Sequence, residues 1–169
     1  MKRIFVLLAC LISAGCGYHA AGHANLLPPD LRTLAVPAFV NQTQTYKIEQ
    51  TLTAAVVQEF TTRTKYHITA DPSSADATLR GTVLSTSTTP LTYDSQTGRA
   101  SSVLVIVSLK VALTDRQGRV LYQNPSYVFR EQYQVSQDLS SFFEEDSPAF
   151  QRLSRSFSRT LVSNVLEAF

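Results

Sequence analysis

The side chains best suited to ligate a metal or to act as nucleophile or base are few. The chain has two cysteines, Cys10 and Cys16, and three histidines, His19, His23 and His67. His19 and His23 stand four residues apart, a spacing that on a helix can aim two imidazoles at one ion. They lie beside Gly17 and Gly22, and no glutamate of a zincin motif falls between them, so no metal site is expected there. His67 belongs to a short β-like run, with His23 the nearest other histidine. Downstream of Cys16 there is no G-x-S-x-G elbow, no phosphate-binding glycine loop and no dinucleotide fingerprint. The carboxylates are scattered through a Ser/Thr-rich chain, without a pair whose spacing places two of them at one reacting atom. The expectation is a protein that is not an enzyme and takes no dissociable cofactor.

Cys16 has a different chemistry. Met1-Lys2-Arg3 is a short positive segment, Ile4 to Ile12 is almost wholly apolar, and Ser13-Ala14-Gly15 supplies small residues. That is the make-up of a secretory signal, too short to span a bilayer as a mature helix. Residues 1–15 therefore read as a signal peptide. A small-small-Cys junction at Ala14-Gly15-Cys16 resembles a bacterial lipobox, although Ser13 stands where an aliphatic residue is usual. Leu7-Leu8-Ala9-Cys10 fits the letters better but leaves an apolar segment of about five residues, below the usual range. Cleavage before Cys16 would discard Cys10, so a disulfide between the two is not expected. Cys16 would then carry diacylglycerol on its thiol and an acyl chain, such as palmitate, on its freed amine. At about 0.8 kcal/mol per buried CH₂, three chains anchor a protein stably. Gly17 follows instead of the Asp that favours inner-membrane retention, which points to the outer membrane.

Cleavage also removes Lys2 and Arg3 from the 15 basic residues, leaving 13 to face 13 acidic ones. A neutral chain offers no electrostatic reason to bind nucleic acid. With 44% hydrophobic and 17% charged residues the chain can bury a core without disulfide staples.

The elements that must carry any site can be read from periodicity. Residues 16–32 form a lipidated N-terminus and tether, and 33–169 a single domain. Leu34 to Val40 reads as a strand whose Pro37 marks an edge or a bulge. Ile48, Leu52, Ala55, Val56 and Phe60 recur at helical spacing, predicting a helix from about Tyr46 to Arg63. Tyr66 to Ala70 is a short strand, closed by the turn residues Asp71-Pro72-Ser73-Ser74. Thr78 to about Ser85 and Ser102 to Thr114 pair as a long hairpin, joined by a Ser/Thr-rich arm with a turn at Asp94 to Arg99. Val103, Val105, Val107, Leu109, Val111 and Leu113 share one face of its second strand, while Leu104 and Ile106 put apolar surface on the other.

A further strand from Val120 to Val135, interrupted near Asn124-Pro125, has an aromatic face of Tyr127, Phe129 and Tyr133, with Glu131 the exception. Ser147 as N-cap before Pro148 opens a last helix, with Glu144, Glu145 and Asp146 favourably placed at its positive end. Phe150, Leu153, Phe157, Leu161 and Val165 mark its apolar face; Arg152, Arg155 and Arg159 lie opposite. The order β-α-β-β-β-α gives an α+β two-layer sandwich: a mixed sheet of four to five strands with both helices on one face. The arginine row reads either as a solvated helix face or as a surface met by a partner.

Cys16-Gly17-Tyr18-His19 and the run from Leu27-Pro28-Pro29-Asp30 to Pro37 resemble the start of the LptE family of lipopolysaccharide-assembly lipoproteins. The resemblance continues through Phe39, Asn41-Gln42-Thr43, Glu49 to Phe60, Ala75 to Gly81, Phe129 to Tyr133, Glu144-Glu145 and Arg152 to Phe169. It implies an outer-membrane lipoprotein, facing the periplasm, that sits within the lumen of an LptD-like β-barrel. There it would help the barrel assemble, plug it and contact lipopolysaccharide during its transport and insertion. Lipid A carries phosphates and acyl chains, so cations beside aromatic or apolar surface are the candidate contacts. Arg99 and Tyr93 at the hairpin tip meet that description, and Arg80 and Lys110 extend the site if they share a sheet face. The competing function is that of an outer-membrane lipoprotein regulating a peptidoglycan synthase. That role favours a long tether, and residues 17–32 reach at most about 50–60 Å.

Overall fold

The computed structural model describes residues 31–134 and 146–168, with side chains from 149 onward in the second stretch. Cys10, Cys16, His19, His23, the signal, most of the tether, Val135 and Glu144-Glu145 lie outside the described residues.

Two short strands, β1 (Thr33–Ala35) and β2 (Val40–Asn41), stand where one strand was expected. Pro37 lies between them and cannot donate to a ladder. Both pair parallel with the same neighbour, β4 (Ala77–Tyr93), so they act as one interrupted strand. The crossover helix α1 (Ile48–Arg63) leads to β3 (His67–Thr69), which pairs parallel with β1. A one-turn 3₁₀ segment at Pro72–Ser74, opened by Asp71 accepting from the Ser73 N–H at 2.9 Å, turns the chain into β4. β5 (Ala100–Asp115) and β6 (Val120–Gln134) follow as antiparallel neighbours, giving the order β3-β1-β4-β5-β6 with β2 also on β4. The helix α2 (Asp146–Glu167) closes the described chain. The α+β expectation holds, with six strands because the first is divided.

The hairpin strands are longer than their apolar periodicity suggested. β4 continues through Thr86, Thr88, Thr89 and Thr92 to Tyr93, and β5 begins at Ala100. Threonine is itself a good strand residue once a regular neighbour supplies the ladder. Only Asp94 to Arg99 remains as the turn, with Gly98 at φ +67° and Asp94 Oδ1 accepting from the Gln96 and Thr97 N–H groups. The interruption near Asn124-Pro125 is a bulge within β6: pairing jumps from Leu109↔Tyr127 to Val111↔Asn124.

Both helices cover the face carrying Val103 to Leu113. Ile48, Leu52, Val56 and Phe60 of α1 and Leu153, Phe157, Leu161, Val162 and Val165 of α2 are buried against Leu79, Val83 and the odd-numbered β5 side chains. Phe157 meets Phe39, Tyr127 and Phe129 edge-on, with ring centroids 5.4–6.3 Å apart. α2 starts at Asp146, so Ser147 falls inside the helix and is not its N-cap; Pro148 remains in the first turn, where its missing N–H costs no helical bond. Among the described residues no helix is long and apolar enough to cross a membrane.

Candidate functional site

The sheet has a second face that neither described helix covers, and the ladder register says what stands on it. Cross-strand partners share a face. Arg80 pairs with Ala112, Thr82 with Lys110, Ser85 with Ser108, Ser87 with Ile106 and Thr89 with Leu104. On the other side of β5, Ser108 pairs with Val128, Ile106 with Arg130 and Leu104 with Gln132. Arg80 and Lys110 therefore do share a face, on diagonal positions of neighbouring strands. Arg130 joins them about 13 Å further along β5 from Lys110, at the usual strand rise. All three cations are exposed, whereas Ile106 and Leu104 are half-buried and Val128 is 40% exposed. The result is a strip of three cations, small hydroxyls and a central aliphatic patch.

Tyr93 and Arg99 are not part of that strip. Tyr93 pairs with Ala100, ten residues from Lys110 along β5 and so about 33 Å away. Tyr93 is 65% exposed at the tip, and the Arg99 carbonyl accepts from the Asp94 N–H at 2.8 Å. The four residues singled out in the sequence thus form two separate places: an open-face pair and a tip pair. Arg130 and Val128, which the register adds to the same face, were not singled out in the sequence. Their signal was present, since they occupy even positions opposite the aromatic odd face of β6.

The end of the sheet where the tether enters is clamped. Asp76 accepts from the Arg32 N–H at 3.0 Å and the Thr33 N–H at 2.8 Å, and pairs with Arg116 at 3.2 Å. These two backbone donors, then Arg116, hold its carboxyl below the usual carboxylate range. Arg116 also donates to the Ala75 carbonyl at 2.8 Å. In the neighbouring turn, burial raises the Asp115 carboxyl, but bonds from Arg119, at 2.6 Å to its side chain, outweigh that and lower it. On the covered face Asn164 donates to the Tyr127 hydroxyl at 2.9 Å, which lies 2.5 Å from the Tyr122 hydroxyl. Burial first, then this contact, push Tyr122 up to about 12. The Asn164–Tyr127–Tyr122 contacts join α2 to β6. His67 is exposed on an edge strand. Among the described residues no cluster of three or more potential metal ligands exists.

A profile of the LptE family, described as lipopolysaccharide-assembly, matches residues 31–165, which is most of the chain. The chain belongs to the LptE family. Its function class is thereby lipopolysaccharide assembly in the bacterial envelope, in a family of lipoproteins that are not enzymes. No curated protein sequence matches significantly. Solved structures show the fold at low identity. Rare lipoprotein B from Shewanella oneidensis is 12% identical with a TM-score of 0.53, covering 81% of this chain and 92% of its own. A hypothetical protein from Chlamydia trachomatis has the same identity and TM-score, covering 81% and 97%. Lipoprotein B from Nitrosomonas europaea is 10% identical with a TM-score of 0.51, covering 82% and 88%. This family member thus keeps the architecture with few residues in common.

Proposed function

We propose that the protein is an outer-membrane lipoprotein, acylated at Cys16, that sits in the lumen of an LptD-like β-barrel and presents its open sheet face to lipopolysaccharide. The observation that carries the second part is the strip of Arg80, Lys110 and Arg130 around Ile106, Leu104 and Val128, on the face that neither described helix covers. A sheet with helices on one side only is ordinarily polar on the other. Here aliphatic surface lies among cations, which matches an amphiphile with phosphates and acyl chains. Guanidinium groups grip phosphate through paired N–H donors, while half-buried aliphatics offer the chains a surface to lie on. Tyr93 and Arg99 form a second, smaller contact at the tip. The assembly task needs binding and release rather than bond breaking, in keeping with a family that is not enzymatic.

Affinity purification of the full-length protein from native outer membranes tests the proposal. Recovery of a large β-barrel in near-equal amount, together with lipopolysaccharide, is expected. Recovery of a peptidoglycan synthase without the barrel would establish the competing role. Mass spectrometry of the same preparation should find Cys16 diacylglycerylated and N-acylated; an unmodified Cys16 would remove the lipid anchor from the reading.

A further inference from the structure

The outer face of α2 carries more positive charge than the fold uses. Arg152, Arg155 and Arg159 follow at spacings of three and four, so they form one stripe, and all are exposed. With Ser156 and Thr160 they line a shallow depression. Arg152 is neutralised within the chain, its Nε lying 2.5 Å from Glu131 Oε1 on β6. Arg63, at the adjoining end of α1, pairs with Glu59 at 3.5 Å and donates to Ser163 Oγ at 2.8 Å. Arg155 and Arg159 have no acidic partner among the described residues. Like charges four apart weaken a helix, so this pair works against the element that bears it.

What lies around the pair narrows the occupant. The exposed residues of α2 whose side chains are described are Gln151, the arginines, Ser156, Thr160 and, two turns beyond Arg159 at the helix end, Glu167, and no large hydrophobic residue is exposed on this helix among the described residues. Acyl chains would have nothing to lie against, which separates this face from the open sheet. Short hydroxyl side chains between the arginines let another flat polar surface approach closely. The planar forks of two neighbouring guanidiniums suit carboxylates on such a surface. A barrel lumen presents a polar wall of that kind.

We infer that Arg155 and Arg159 dock onto carboxylates of a protein partner, and that this partner is the barrel of the proposed function, on which the inference rests. The stripe then sets the orientation of the lipoprotein in the lumen, since complementary charge fixes register and suppresses wrong approaches. The helix layer would face the wall, leaving the open sheet face to the glycolipid.

The test uses full-length protein in native outer membranes with a photo-crosslinking residue at position 156, between the two arginines. A crosslink to the barrel is expected. Arg155→Glu with Arg159→Glu should lower the barrel recovered after a moderate-salt wash at least tenfold, while Arg155→Lys with Arg159→Lys should lower it only a few-fold. Melting temperatures should match wild type in both, because the side chains are exposed. A crosslink at 156 to lipopolysaccharide or to nothing, with barrel recovery unchanged by charge reversal, would overturn the inference and leave the proposed function standing. Failure of the wild-type protein to recover any barrel would overturn both.

Discussion

A Cβ on Gly81 would lie 2.6 Å from Cδ2 of Phe39, closer than carbon atoms pack. Phe39 sits after the break at Pro37, and its ring crosses β4 just where β4 has no side chain before meeting Phe157. Gly81→Ala is expected to destabilise the fold by about 1–3 kcal/mol, the usual range for overpacking a filled core, read as a lower urea midpoint. Asp76 has the opposite kind of role, holding backbone rather than making room. Its carboxyl is lowered in the fold by the Arg32 and Thr33 N–H groups and Arg116. The stability it contributes is present above the unfolded value of about 3.9 and is lost as pH falls through the lower folded value. Stability measured from pH 7 downward should therefore fall below about pH 4 in wild type and fall less in Asp76→Asn. Neither role could be read from residue type. Gly81 was visible only as one letter in a family-like run, and Asp76 binds residues more than forty positions away.

At the scale of elements, what could be read depended on whether the pattern was local. α1 and α2 were legible because their apolar residues recur at helical spacing, and Ile48, Leu52, Val56, Phe60, Leu153, Phe157, Leu161 and Val165 are all buried as that spacing requires. The division of the first strand was half legible: Pro37 signalled the edge or bulge, while the two ladders onto β4 depend on pairing. The Ser/Thr arm was read as a connector because its residues lack apolar alternation. It became strand because β5 runs beside it from Ala100. Glu131, the exception on the aromatic face of β6, is explained by Arg152 above it. Docking of α2 onto that face depends most on Phe157, fully buried among three rings. Phe157→Ala should cost about 3–5 kcal/mol, seen as a large fall in melting temperature with near-ultraviolet dichroism weakened first.

Over the whole molecule the long β4–β5 hairpin separates the tip, where the sequence placed the contact, from Arg80 and Lys110, which it added on the condition of a shared sheet face. Lys110 and Tyr93–Ala100 are about 33 Å apart at the usual rise along β5, too far for one lipid A headgroup to reach both. The aliphatic surface decides between them. Ile106, Leu104 and Val128 lie together within the open-face strip, whereas the tip offers one ring, Tyr93, and one aliphatic, Leu91, beside Gln96, Thr97 and Gly98. A charge-assisted hydrogen bond contributes about 1.5–3 kcal/mol, and each 1.4 kcal/mol is tenfold in affinity. Lys110→Glu with Arg130→Glu is therefore expected to weaken lipopolysaccharide binding by the purified lipoprotein at least tenfold, and more at low salt, where exposed charges are least screened. Arg99→Ala with Tyr93→Ala should weaken it about threefold or less. Both pairs are exposed and should leave the melting temperature nearly unchanged. Binding titrations of the two variants beside wild type give the comparison directly. If the tip variant loses more than the open-face variant, the glycolipid is held at the end of the arm and the sheet face is left to the barrel.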